Sequence, residues 1–133
     1  MMNNADMRGI FSALLVSYNE YGSINEKGLR EIIRHNIDNM KVDGLYVGGS
    51  TGENFMISTE EKKRIFEIAK DEAKDQIKLI AQVGSINVYE SVELAKFATA
   101  LGYDAISAVT PFYYKFSFNE IKDYYNTIIN SVN

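Results

Sequence analysis

Four short, nearly unbroken apolar runs, each followed by a stretch of helical periodicity, constrain the fold of this chain more than any other feature. The runs are Ile10-Phe11-Ser12-Ala13-Leu14-Leu15-Val16, Gly44-Leu45-Tyr46-Val47-Gly48, Lys78-Leu79-Ile80-Ala81-Gln82-Val83 and Ala105-Ile106-Ser107-Ala108-Val109-Thr110. A strand wetted on one face alternates apolar and polar residues, whereas runs this continuous are expected of parallel strands covered by helices. Behind the first run, Leu29, Ile32, Ile33 and Ile37 recur at helical spacing, and behind the last, Ile121, Tyr124, Tyr125 and Ile128 do the same. Ser58-Thr59-Glu60-Glu61 is a capping box that starts the second helix, with Ser58 and Glu61 each satisfying the other's backbone donor. A third helix is expected over about Val88 to Leu101, with Leu94, Ala98 and Leu101 on one face and Gly102 as its stop. An internal echo, Asp43-Gly44-Leu45-Tyr46-Val47 against Asp104-Ala105-Ile106-Ser107-Ala108, fits two repeating βα units in between.

Four βα units suit either a small doubly wound sheet or half of an eight-stranded barrel. A flavodoxin-like sheet wants a fifth strand, and Ser131-Val132-Asn133 follow a helix with no strand beyond. A complete barrel takes about 250 residues, and the chain has 133. We read residues 1–133 as one partial domain of four βα units, with 1–7 as a flexible N-terminal tail.

The composition narrows the chemistry. No cysteine is present, which excludes a disulfide framework, a thiol nucleophile and a zinc-thiolate site, and suits a cytoplasmic protein. The single histidine, His35, leaves no His-based metal cluster or Ser-His-Asp triad, and reads as a partly buried helix residue. A net charge of -4 without a basic block speaks against nucleic acid or an anionic membrane as partner. The first apolar run is too short to span a bilayer and has no basic segment before it. Glu60-Glu61 and Lys62-Lys63 read as a solvated helix face with charge pairs three and four residues apart.

Two loops are equipped for binding. Directly after the second run stands Gly48-Gly49-Ser50-Thr51-Gly52-Glu53. Its glycines permit turns closed to other residues and close approach to a ligand, and Ser50 and Thr51 add hydroxyls beside exposed N–H groups. That suits a carboxylate or phosphate. No Gly-Lys-Ser/Thr follows, and Gly-Gly-x-x-Gly is the wrong spacing for a dinucleotide fingerprint. Taken alone, the loop reads equally as a plain strand-to-helix turn. The second loop, Val109-Thr110-Pro111-Phe112-Tyr113-Tyr114, leaves the fourth run with the chain's one proline. A rigid aromatic loop at the C-terminal end of a strand lies where α/β folds place ligands, although both tyrosines would serve as well to cover a hydrophobic rim.

These loops, together with Ile80-Ala81-Gln82-Val83-Gly84-Ser85 and Phe116-Ser117-Phe118, resemble the N-terminal half of the N-acetylneuraminate lyase family, the sialic acid aldolases of the dihydrodipicolinate synthase superfamily of class I aldolases. The likeness runs from Arg8 onward and is most specific in Ser107-Ala108-Val109-Thr110-Pro111-Phe112-Tyr113-Tyr114. Dihydrodipicolinate synthases usually carry Thr-Thr where Ser50-Thr51 stand, and tyrosine-tyrosine-asparagine where Phe112-Tyr113-Tyr114 stand.

The resemblance implies the first four βα units of a (β/α)₈ TIM barrel that works as a homotetramer. It implies reversible cleavage of N-acetylneuraminate to pyruvate and N-acetylmannosamine, with no cofactor. A lysine amine attacks the keto carbon, and the protonated imine takes up the electron pair of the breaking C3–C4 bond while the C4 hydroxyl loses a proton. Carried over residue by residue, Ser50, Thr51 and Gly49 bind the substrate, and Ser50 and Tyr113 act catalytically. Tyr113 does so by reaching a neighbouring subunit's site as part of a proton relay. The family's Schiff-base lysine lies on the sixth strand and a further tyrosine follows the fifth, and this sequence contains neither strand. Of the lysines present, Lys78 starts a strand on the stability face and Lys115 points to water, so neither replaces the nucleophile. The truncated chain is therefore expected to leave inward strand side chains bare, among them some of Leu14, Tyr46, Ile80 and Val109, to be inactive alone, and to self-associate or pair with a C-terminal half. Other readings are a different 2-keto-acid aldolase of the superfamily, or a catalytically silent half-barrel that acts as an assembly module.

Overall fold

The computed structural model describes residues 6–132. Of the expected flexible tail, residues 1–5 lie outside the described residues, and Asp6 and Met7 have no regular structure. The elements run β1 (Phe11–Ala13), α1 (Glu26–Asp38), β2 (Gly44–Val47), α2 (Thr59–Ala73), β3 (Lys78–Gln82), α3 (Val88–Leu101), β4 (Ala105–Ser107) and α4 (Phe118–Asn130), with 3₁₀ turns at Ser50–Gly52 and Asn54–Met56 between β2 and α2. Each helix starts where a side chain takes up a free N–H: Asn25, Ser58, Asn87 and Ser117 are the N-caps. Ser58–Glu61 forms the expected capping box, and Ser117–Glu120 forms a second. Gly102 ends α3 at φ 80°, as the sequence suggested.

The strands are all parallel and lie in the order β1-β2-β3-β4. That order decides between the two architectures. A flavodoxin-like sheet reverses direction, with its first strand inside and helices on both faces. Here each unit is laid beside the last, and α1 packs on α2, α2 on α3 and α3 on α4, the winding of a barrel. Leu45, Val47, Leu79, Ala81 and Val83 point into the core with Ile33 of α1, Phe66 of α2, Leu94 of α3 and Ile128 of α4. On the other face, Ala13, Tyr46, Ile80 and Ala105 form one row and Gln82 with Ser107 the next.

Three expectations need correction. Leu14 was expected among inward side chains left bare by an open barrel, yet it is 1% exposed. Alternation puts it on the same face as Ser12, which pairs in register with Leu45, and so on the helix-covered side. His35 is exposed, because the buried stripe of α1 runs through Leu29, Ile33 and Asn36 and His35 lies off it. Lys62 is not solvated. It is 7% exposed, since α2 packs on α3 and brings its Nζ to 2.8 Å from Glu90. The expected Glu60–Lys63 pair is present at 3.1 Å, but Lys63 also reaches across to Glu93 at 2.5 Å.

Candidate active site at the C-terminal ends of the strands

Because all four strands point the same way, the loops after β2, β3 and β4 meet on one rim. Gly48 turns the chain at φ 80°, where a Cβ would stand 2.9 Å from the Phe66 ring. A Cβ on Gly49 would lie 2.9 Å from the ring of Tyr46. The two glycines let the backbone turn sharply and lie flat on that ring. The following turn is closed by Gly52 N–H to Gly49 O at 3.0 Å and Glu53 N–H to Ser50 O at 2.9 Å, and Tyr18 Oη donates to Gly52 O at 2.7 Å. Ser50 and Thr51 stand exposed at its start, and among the described residues neither hydroxyl has a partner. The loop is thus a fixed backbone that presents two free hydroxyls.

Below it, on the inner face of the sheet, Tyr46 Oη and Ser107 Oγ are 3.0 Å apart, joining β2 to β4 across β3. Gln82 at the end of β3 is buried, and its amide nitrogen reaches Gly48 O and Gly84 O while its oxygen accepts from Gly84 N–H and Val109 N–H. One side chain therefore ties the ends of β2, β3 and β4. Sequence reading passed over Tyr46, Ser107 and Gln82 as strand residues. A lone amide within an apolar run was the available signal for Gln82, because a buried polar group must find partners.

Tyr113 lies on the adjacent loop. Its φ of 79° is left-handed, uncommon for any residue but glycine and unusual for a bulky one, and its side chain is 85% exposed. The loop is moored by Phe112, whose ring meets Phe55 edge-on at 4.7 Å. Gly49, Ser50, Thr51 and Tyr113 thus share a rim, but no hydrogen bond joins Tyr113 to Ser50 among the described residues.

Between the first turns of α2 and α3, a cleft of ≈ 390 Å³ is lined by Phe55, Thr59, Lys62, Ser85, Glu90 and Phe112, among others. Glu90 accepts from Lys62, Thr59 and Ser85. Burial alone would raise its carboxyl, but these three donors together hold it below the usual carboxylate range. A group depressed in the folded state stabilises above its unfolded value and loses that contribution as pH falls through the folded one. Stability should therefore decline on acidification below about pH 4.5, and Glu90→Gln should flatten that limb. At neutral pH the same variant leaves Lys62 buried without its counter-charge, at a cost of about 3 kcal/mol. Thermal melts at pH 7 and pH 4 test this, and a variant that melts with the parent at both would show the pair to carry no weight.

Among the described residues no three His, Cys, Asp or Glu side chains are grouped to hold a metal ion, and no helix is long and apolar enough to cross a membrane.

Comparison with known proteins places this geometry. The chain is 82% identical over 124 residues to N-acetylneuraminate lyase of Haemophilus influenzae, which covers 93% of this chain and 42% of that one. It superposes with a TM-score of 0.95 and 80% identity on CdNal of Clostridium difficile, solved in complex with mannosamine, covering 96% of this chain and 44% of that one. N-acetylneuraminate lyase of Fusobacterium nucleatum complexed with pyruvate gives a TM-score of 0.89 at 75% identity, covering 95% and 42%. The chain thus spans less than half the length of these relatives, matching their N-terminal half. A family model described as the Dihydrodipicolinate synthetase family matches residues 6–133. Its sheet order, its glycine loop and this match leave one assignment: the chain belongs to the dihydrodipicolinate synthetase family.

Proposed function

We propose that this chain supplies the first four βα units of an N-acetylneuraminate lyase, which cleaves N-acetylneuraminate reversibly to pyruvate and N-acetylmannosamine through a lysine Schiff base. The observation that carries the reading is the 82% identity to a lyase, at a rim whose loop backbone is fixed and whose two hydroxyls are free. In this reading Ser50, Thr51 and the N–H of Gly49 hold the carboxylate that becomes that of pyruvate. Ser50 and Tyr113 belong to the group that moves the C4 proton, with Tyr113 serving the site of a neighbouring copy in a cytoplasmic homotetramer. The lysine and a further tyrosine come from strands five to eight. A C-terminal half would close the free edges of β1 and β4, each of which has one neighbour here. In its absence a second copy would cover them.

The direct test joins this chain to the C-terminal remainder of the Haemophilus influenzae relative. Pyruvate release from N-acetylneuraminate supports the assignment, and a barrel that cleaves another 2-keto acid but not this one refutes it. In that completed barrel, Thr51→Ala removes one hydrogen bond to a charged group, worth roughly 1.5–3 kcal/mol. KM should rise about ten- to a hundredfold with kcat much less affected, the signature of lost ground-state binding. An unchanged KM for both pyruvate and N-acetylneuraminate would remove Thr51 from the carboxylate site.

A further inference from the structure

We infer that Tyr124 of α4, assisted by Tyr125 and Gln82, is a positioning residue that clamps the backbone leaving β4 and so holds Tyr113 in its left-handed conformation. The inference rests on the role proposed above for Tyr113.

Tyr113 cannot hold itself. Its side chain is almost wholly exposed, and the ring it meets is that of its neighbour Tyr114, at 4.9 Å. A bulky residue at φ 79° persists where the surrounding structure over-determines its backbone. The source of that constraint lies upstream. Tyr125 Oη donates to Ala108 O at 3.0 Å, and Tyr124 Oη donates to Val109 O at 3.1 Å. Gln82 accepts from Val109 N–H at 3.2 Å. Two successive carbonyls and one N–H are thus fixed by side chains from two different elements. From Val109 the chain passes through Thr110 and Pro111, where the proline ring fixes its own φ and restricts the residue before it. It then reaches Phe112, whose ring is seated on Phe55. A stiff segment anchored at both ends delivers Tyr113 to the rim.

Tyr124 has a second connection. Its oxygen accepts the N–H of Ser85 at 3.1 Å, and Ser85 Oγ donates to Glu90, the partner of Lys62. Because Tyr124 is buried, its hydroxyl can both accept from the β3 exit and donate to the β4 exit without competition from water. A phenylalanine would fill the same space and do neither.

The test is Tyr124→Phe in the completed barrel, where ring packing is kept and only the clamp is lost. A displacement of the catalytic loop should lower kcat about tenfold while KM stays within about twofold. Borohydride trapping of the pyruvate imine should proceed at the parent rate, because it needs the lysine and not Tyr113, and this also shows that the variant assembles. Combined with Tyr113→Phe, the Tyr124 effect should vanish, as two changes acting through one group are not additive. An unchanged kcat, or the same tenfold loss in the Tyr113→Phe background, overturns the inference. If Tyr113→Phe alone left kcat unchanged, the role of Tyr113 would fail, and the clamp would be judged by hydrogen exchange across residues 108–116. Faster exchange in Tyr124→Phe sustains it, and equal exchange overturns it. Should Tyr124→Phe not assemble, Tyr125→Phe tests the same clamp one carbonyl further back, with an expected loss of about threefold.

Discussion

Incubated with pyruvate and borohydride, the 133-residue chain should acquire no covalent adduct, and mixing it with a C-terminal half that carries the missing lysine should restore trapping from zero. The expectation follows from where its lysines lie. An imine-forming amine must be uncharged when it attacks, which takes desolvation or a neighbouring cation, and must sit inside the barrel near its C-terminal rim. Lys62 is buried between α2 and α3, tied to Glu90 at 2.8 Å and away from the inner face of the sheet. Lys78 is at the opposite end of the sheet, 3.1 Å from Asp104. Lys63 and Lys70 are paired with carboxylates, and Lys115, although near the rim, is exposed. Lys27, Lys41, Lys74, Lys96 and Lys122 are exposed as well. By alternation only Lys78 shares the inner face with Ile80, and it stands at the first residue of β3, at the end of the sheet away from the rim. Mass spectrometry after reduction reads the result directly. An adduct on any lysine of the chain alone would mean that the nucleophile is present after all, and the division of labour between the two halves would have to be abandoned.

Much of the fold was legible in the sequence because the signals involved are local. Capping at Ser58, the stop at Gly102 and the apolar runs depend on neighbours within a few residues, and so did the glycines at 48, 49 and 52. What the sequence withheld depends on contacts between units. Strand order is one such property, since a repeated βα pattern is compatible with winding in one direction or in two. Lys62 is another. Its neighbours Glu60 and Lys63 made the first turn of α2 look like a water-facing stripe, and only the approach of α3 carries Glu90 to it. Leu14 was misplaced because the one polar residue of its run, Ser12, lies on the helix-covered face with it and so does not mark which alternate positions face the helices. For Gln82 and Tyr124 the relevant partners lie on elements distant in the chain, and a residue that joins three strand ends looks, in sequence, like an ordinary polar or aromatic interruption.

Tyr113→Phe should have the larger effect on turnover of any single change in the loops. In the completed barrel we expect kcat to fall about a hundredfold, the usual scale for a group that takes part in proton transfer, with KM much less altered. In the proposed role the Tyr113 hydroxyl passes a proton along a hydrogen-bonded chain, which phenylalanine cannot do. Its exposure here, 85%, together with the strained backbone, suits a side chain that leaves its own subunit and finds its partners on another. That geometry makes a sharper demand than a rate. Subunits carrying Tyr113→Phe and subunits lacking the barrel lysine should each be nearly inactive, yet a mixed assembly contains sites with an intact lysine and a borrowed, intact tyrosine. Mixing and reassociating the two should therefore recover a measurable fraction of parental activity. If mixing recovers nothing while each parent assembles normally, Tyr113 acts within its own subunit. If Tyr113→Phe retains kcat within about twofold, its hydroxyl takes no part in the proton transfer and the aromatic rim is a packing surface.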